Sequence, residues 1–110
     1  MVLKDLTPAE RQAARQKALD ARTIRAKVKA DFADGKLTLA EVFERSDTEE
    51  AVARMRTIDL LTAIKGIGEI RAQSIMEQCE ISLNRRLRGL GHRQRDALID
   101  ALGQIGRAFV

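Results

Sequence analysis

Two short stretches of the chain carry residue types that can hold a phosphate. In "IKGIGEIR", residues 64–71, Gly66 and Gly68 flank one isoleucine, with Lys65 just before them and Arg71 just after. In "RRLRGLGHRQR", residues 85–95, Gly89 and Gly91 flank one leucine, and five arginines stand without a single acid. Glycine lets a backbone turn tightly and approach a ligand closely, and the free N–H groups that open a helix carry partial positive charge. Arginine adds a planar fork that meets two phosphate oxygens at once, so arginine rather than lysine at 85, 86, 88, 93 and 95 is informative. The chemistry on offer is anion binding.

The identity of the phosphate depends on the neighbours. A dinucleotide site needs a buried strand ahead of G-x-G-x-x-G, a βαβ unit around it and a small third residue. Here the flanking pattern is helical and Arg71 takes the third place, which excludes that reading. What remains is a helix, a glycine turn and a second helix. The plain alternative is an αα turn whose glycines serve only as C-cap and clearance. A basic run can likewise be no more than a solvated face. Dense, unpaired arginines beside two glycine turns favour nucleic-acid phosphate.

The elements that must position these turns follow from periodicity, which predicts an all-α fold. No stretch alternates apolar and polar residues over strand length. Thr7 as N-cap, Pro8 at the first helical position and Glu10 form a capping box, and the first helix is expected over residues 8–34, stopping at Gly35. Its later half has a stripe of Ala21, Ile24, Val28 and Phe32. Its first half offers only alanines such as Ala14 and Ala18, so that half is expected to project from the core. Short helices fill residues 38–64. Thr38 and Glu41 open one that buries Leu39, Val42 and Phe43. Ser46 with Glu49, or Asp47 with Glu50, opens the next, and Thr57 caps "IDLLTAI". After Gly66 a helix over residues 69–77 places Ile70, Ile75 and Met76 inward. Ser82 or Asn84 caps a short turn, and a last helix runs over residues 92–102 before Gly103 and Gly106 loosen the tail. Residues 58–102 form the expected DNA-binding region, and no linker divides residues 1–110, which read as a single domain.

Composition agrees with a helical, well-solvated chain: 110 residues, 45% hydrophobic, 33% charged, net charge +4. Charge is unevenly placed, with seven Lys/Arg against four acids over residues 8–34 and two against four over residues 46–64. No apolar run approaches the roughly 20 residues of a membrane span, and "MVLKDLTPAE" has no apolar signal core, so neither membrane nor export is expected. Cys79 is the single cysteine, which allows no internal disulfide or zinc cluster and suits a reducing cytoplasm. His92 without a second ligand makes no metal site. Helix-start acids are explained by capping better than by acid–base catalysis. No metal, cofactor, small-molecule substrate or catalytic residue is expected.

Two resemblances sharpen this reading. Ile64-x-Gly66-Ile67-Gly68-x-x-x-Ala72-x-x-Ile75-Met76 resembles the helix-hairpin-helix signature of non-sequence-specific DNA-binding proteins. The resemblance implies that the glycine turn holds a DNA phosphate, the residue between the glycines plugs the core, and the alanine lets the helices approach. On a larger scale, "LTPAER", "GKLTLAEVFERSD", "GIGEIRAQSIM" and above all "RRLRGLGHRQRDAL" resemble the actinobacterial type of integration host factor. That family comprises small nucleoid-associated proteins with a helix-two-turns-helix domain like that of ribosomal protein S13, and the resemblance covers roughly residues 4–102. It implies duplex DNA binding with little sequence specificity, bending or compaction of the nucleoid, and assistance to phage integration. Arg85, Arg86 and Arg88 fall on the family's DNA-contacting arginines. Lysine at 65 and histidine at 92 stand where the family often has proline.

The expected DNA-binding set is therefore Lys65, Gly66, Gly68, Arg71, Arg85, Arg86, Arg88, Gly89, Gly91, His92, Arg93 and Arg95, with Arg11, Arg15, Lys17 and Arg22 of the first helix as a second contact. Backbone N–H groups would hold phosphates while the cations neutralise charge around them, an arrangement that positions without reading bases. Double-stranded DNA is the expected partner, in the cytoplasm and nucleoid, with a phage integrase or recombination complex beside it. An RNA-binding or ribosome-associated protein could use the same two turns, but Phe32, Phe43 and Phe109 are the only aromatics, a poor platform for stacking unpaired bases. A glycosylase or lyase shares the hairpin but needs a pocket and a nucleophile or base that this chain does not display.

Overall fold

The computed structural model describes residues 5–106, and every regular element among them is helical. The start of the N-terminal stretch and the end of the tail, Phe109 included, lie outside the described residues. Helix α1 spans Pro8–Ala33, and the capping box at its start is made as expected: Glu10 N–H donates to Thr7 Oγ1 (3.1 Å) and Thr7 N–H to Glu10 Oε1 (3.2 Å). Such a cap contributes about 1 kcal/mol. Gly35, at φ 78°, takes the left-handed turn that ends the helix, and Lys36 and Leu37 N–H donate back to Asp31 O. Val28 and Phe32 are fully buried and Ile24 packs beside them, whereas residues 5–20 are all exposed. At about 1.5 Å per residue the helix is roughly 39 Å long, so its first half stands clear of the core.

Helix α2, Leu39–Thr48, opens with the Thr38–Glu41 box and buries Leu39, Val42 and Phe43. The single-turn helix α3, Glu50–Ala53, has no side-chain cap. Both boxes expected there fail because their members are committed elsewhere. Ser46 Oγ donates to Phe43 O (2.6 Å), Asp47 pairs with Arg95, and Glu49 accepts from Arg45 at 2.6 and 2.9 Å. Thr57, expected to cap α4 (Thr57–Thr62), is instead its first residue, and its hydroxyl is used over a longer range as described below.

Helix α5 spans Glu69–Gln78 and buries Ala72, Ile75 and Met76. Ile70, expected inward, is 86% exposed. The buried stripe runs through 72, 75, 76 and 79, and a residue two positions before 72 lies about 200° around the helix from it. The α5 exit uses Glu80 in the left-handed region (φ 57°), with Ile81 N–H donating to Met76 O at 2.9 Å. An extended passage follows, with Arg85 N–H closing a turn on Ser82 O, then a single 3-10 turn at Leu87–Gly89. Helix α6, His92–Ile105, continues through Gly103 and ends only at Gly106. Leu102 and Ile105 both pack on the core, and this outweighs the glycine's weak helix propensity. Among the described residues, one apolar cluster links α1 through Val28 and Phe32 with α2, α4, α5, Leu87, Leu90 and α6.

Candidate nucleic-acid interface

The first glycine turn has the geometry its sequence requires. Gly66 sits at φ 90°, a conformation strained for any residue with a Cβ, and Ile67 between the glycines is 5% exposed, plugging the α4–α5 junction. Ala72 is fully buried at the same junction. Gly68 is the N-cap of α5 at φ −82°, and no side chain caps that helix. The opening N–H groups of α5 therefore lack a side-chain acceptor, and a Cβ built at Gly68 would meet nothing within 4 Å. Gly68 thus serves no packing need of the protein; it leaves the helix end open to a close approach. Lys65 and Arg71 are exposed on either side.

The second glycine turn is not a copy of the first. Neither Gly89 nor Gly91 has positive φ; Gly89 closes the 3-10 turn and Gly91 is the N-cap of α6. A Cβ at Gly89 would stand 2.7 Å from Cδ of exposed Arg85, so a larger residue there would displace that side chain. Leu87 and Leu90 are buried and anchor the turn, so Arg85, Arg86 and Arg88 project from it and line a cleft of about 340 Å³ with Ser82, Asn84 and Gly89.

This arginine turn is pinned from behind by the α3–α4 junction. Residues Arg56 and Arg86 form an isolated antiparallel bridge, and Leu87 N–H donates to Met55 O at 2.9 Å. Fully buried Thr57 gives two hydrogen bonds to one acceptor, its N–H (3.0 Å) and its hydroxyl (2.9 Å) both reaching Arg85 O. The Arg86 guanidinium donates to Arg54 O. None of these contacts was legible from spacing, since they join positions 28 to 32 residues apart.

Helix α6 opens with His92 and Arg93, both exposed, and has no acid in its first turn, whereas α1 to α5 each have one. A positive helix end reinforced by cations is unfavourable alone and suited to an anion. Gln94 caps that end from inside, its Oε1 accepting from Gly91 N–H at 3.1 Å and its Nε2 donating to Glu80 O at 2.9 Å. Arg95 departs from the expected phosphate set. It is 16% exposed, bonded to both Asp47 oxygens at 2.8 and 3.2 Å and laid over the Phe43 ring at 5.2 Å. Its two terminal nitrogens are taken by Asp47, while its buried Nε has no hydrogen-bond partner among the described residues, so it fastens α6 to α2, and its hydrogen bonds hold the Asp47 carboxyl below its usual value.

The second contact set divides along α1. Arg22 lines a cleft of about 380 Å³ together with Arg25, Lys29, Arg54, Arg56 and Arg86, so it joins the arginine turn. Lys17 lies in the adjoining groove, while Arg11 donates to Leu6 O and Arg15 is exposed on the projecting half. Arg25, Lys29, Arg54 and Arg56 were missed in the sequence. The signal for the first two was their i, i+3, i+7 spacing with Arg22. The last two were masked by acids that the structure shows to be occupied, Asp47 with Arg95, Glu49 with Arg45 and Glu50 with Arg54. Cys79 is a core thiol, 6% exposed, and burial pushes it up from its ordinary value.

Helix, glycine turn, helix, arginine turn and helix in this order, on a shared core, define a helix-two-turns-helix protein. The chain matches the S13-like H2TH domain family over residues 32–102. It is 41% identical over 103 residues to the integration host factor of Mycobacterium tuberculosis, covering 94% of this chain and 98% of that protein. To the integration host factor of Streptomyces coelicolor it is 39% identical over 106 residues, covering 96% and 99%. A solved structure of sIHF bound to an 8-base-pair palindromic DNA is similar with a TM-score of 0.74 at 35% identity, covering 83% of this chain and 99% of that one. The chain belongs to the integration host factor family built on this S13-like domain.

Proposed function

We propose that the chain is a nucleoid-associated protein that binds duplex DNA through its phosphates with little sequence specificity, bending or compacting it and assisting site-specific recombination. The observation that carries this reading is the arginine turn: Arg85, Arg86 and Arg88 are exposed on a backbone pinned by Thr57 and Met55, beside the start of α5, which no side chain caps, and the acid-free start of α6. The DNA in the sIHF structure supports it from outside. Backbone N–H groups of α5 and α6 and the cations Lys65, Arg71, His92 and Arg93 complete the phosphate tract, and such contacts fix position while leaving base edges unread. Bending needs contact at separated points, and α1, through Lys17 and Arg22 on its domain-proximal part and Arg11 and Arg15 beyond, supplies the second. The role is architectural rather than catalytic, in the cytoplasmic nucleoid, with a phage integrase or recombination complex as partner. Phe32 and Phe43 are both buried, so among the described residues no aromatic is free to stack an unpaired RNA base, which disfavours the RNA-binding reading.

Gel shifts titrated with salt, comparing duplex DNA, single strands and RNA, test this reading. With about four to six phosphates neutralised, log K against log salt should fall with a slope near −4 to −5 on duplex DNA. Tighter binding to single strands or RNA at every salt concentration would reject it.

A further inference from the structure

A cleft of about 380 Å³ opens where α1 passes the junction of α3 and α4. Arg22, Arg25 and Lys29 reach it from one side and Arg54, Arg56 and Arg86 from the other, against the single carboxylate of Asp59. Residues 22, 25 and 29 are spaced to share one helix face. Arg54 is paired with Glu50 at 2.7 Å, but none of the ion pairs among the described residues involves Arg22, Arg25, Lys29, Arg56 or Arg86. Six cations thus converge on one concavity against two carboxylates, Asp59 and the Glu50 that pairs with Arg54, which leaves most of their charge uncompensated.

A duplex backbone supplies this charge poorly. Each of its strands carries one negative charge per about 3.4 Å of helix rise, so a concavity of this size meets few backbone phosphates, each singly charged. A triphosphate gathers several charges on adjacent groups, and the volume lies within the roughly 300–1,000 Å³ of small-ligand sites. The apolar lining is only Met55 and Ala26, with no aromatic to grip a base. We propose that this cleft binds a compact triphosphate anion, read through its phosphates. Arg86 also lines the arginine turn and Arg22 belongs to the proposed DNA contact on α1, so bound triphosphate competes with DNA for both side chains. Free nucleoside triphosphates and inorganic tripolyphosphate share this chemistry. The proposal goes beyond DNA binding, and its primary test contains no DNA.

Isothermal titration of the full chain with tripolyphosphate, ATP and GTP, metal-free and at one ionic strength, tests it, with sulfate as the simple-anion control. The expected result is one-to-one binding of all three triphosphates within a few-fold of one another, with sulfate at least tenfold weaker. ATP or GTP binding at least tenfold tighter than tripolyphosphate would support the site and assign the nucleoside a part in recognition. R25A/K29A, and R25Q/K29Q as a gentler pair, should weaken binding at least tenfold with unchanged circular dichroism, whereas the charge-matched K27A/K36A should not. In DNA gel shifts at constant ionic strength, triphosphate should release the wild-type protein at lower concentration than R25Q/K29Q. Sulfate binding as tightly as triphosphate, or both cleft variants binding like wild type, would overturn the proposal.

Discussion

Replacing Thr57 by valine isolates the device that holds the arginine turn. The two side chains have nearly the same shape, so packing in the fully buried site is kept while one of the two hydrogen bonds to Arg85 O is lost. The backbone N–H of Thr57 still donates at 3.0 Å, so the carbonyl is not left without a partner. The expected cost is therefore that of one hydrogen bond, about 0.5–1.5 kcal/mol. For a domain of this size that lowers Tm by roughly 2–8 °C. The same quantity bounds the effect on binding. If DNA must re-order a loosened turn, affinity falls by no more than the lost bond, up to about tenfold for 1.4 kcal/mol. The salt slope should stay at the wild-type value, because the same phosphates are met by the same cations. Fluorescence anisotropy at three salt concentrations, beside thermal melts, reads both effects, and Thr57→Ser, which keeps the hydroxyl but loses the buried methyl, should restore the DNA affinity while its Tm stays below wild type. A valine variant with lowered Tm but wild-type DNA affinity would show that the hydroxyl only stabilises the fold and does not position the arginines.

The two glycines of the first turn should separate cleanly by assay. Gly66→Ala forces a Cβ into φ 90° and should lower stability by about 1–2 kcal/mol in denaturant melts. Gly68→Ala, with φ −82° and open space ahead, should leave the melt within about 0.5 kcal/mol of wild type yet weaken DNA binding severalfold if the proposed phosphate contact is made there, since its Cβ would stand in the way. Acid should expose the Asp47–Arg95 link. Hydrogen bonds from Arg95 lower the folded-state pKa of Asp47, so its contribution is complete above the ordinary aspartate value and is lost as pH falls through the lower, folded one. Melts below about pH 4 should therefore show a shallower loss of stability for Asp47→Asn than for wild type; parallel curves would remove Asp47 from the acid transition.

Much of the local structure was legible because capping and periodicity act over a few residues. Thr7 with Glu10, Thr38 with Glu41, Gly35 and Gly66 each did what their chemistry dictates. The misreadings share a physical cause. Ser46, Asp47, Glu49 and Thr57 could all serve in caps, but other partners claimed each of them: Phe43 O and Arg45 within the same helical stretch for Ser46 and Glu49, and distant Arg95 and Arg85 for Asp47 and Thr57. Ile70 is apolar, yet the stripe that Ala72, Ile75 and Met76 impose turns it outward. In the interface, the arginines of "RRLRGLG" stood out by density, and the structure adds what density could not give. Arg95 belongs to Asp47 and Phe43, the second glycine turn is a 3-10 turn rather than an echo of the first, and Arg54 and Arg56 join the arginine turn across a bridge between distant segments. One-dimensional charge counts set Arg54 and Arg56 against Asp47 and Glu49, which fold onto Arg95 and Arg45, whereas Glu50 does pair with Arg54.

In the proposed function the arginine turn meets duplex DNA as a phosphate clamp. Its most direct test is the salt dependence of binding by wild type and R86A/R88A, on two duplexes of unrelated sequence. Removing two phosphate-neutralising charges should flatten the slope of log K against log salt by about 1.8, at roughly 0.9 per phosphate, and weaken both duplexes by the same factor. An unchanged slope, or a loss confined to one sequence, would contradict the account.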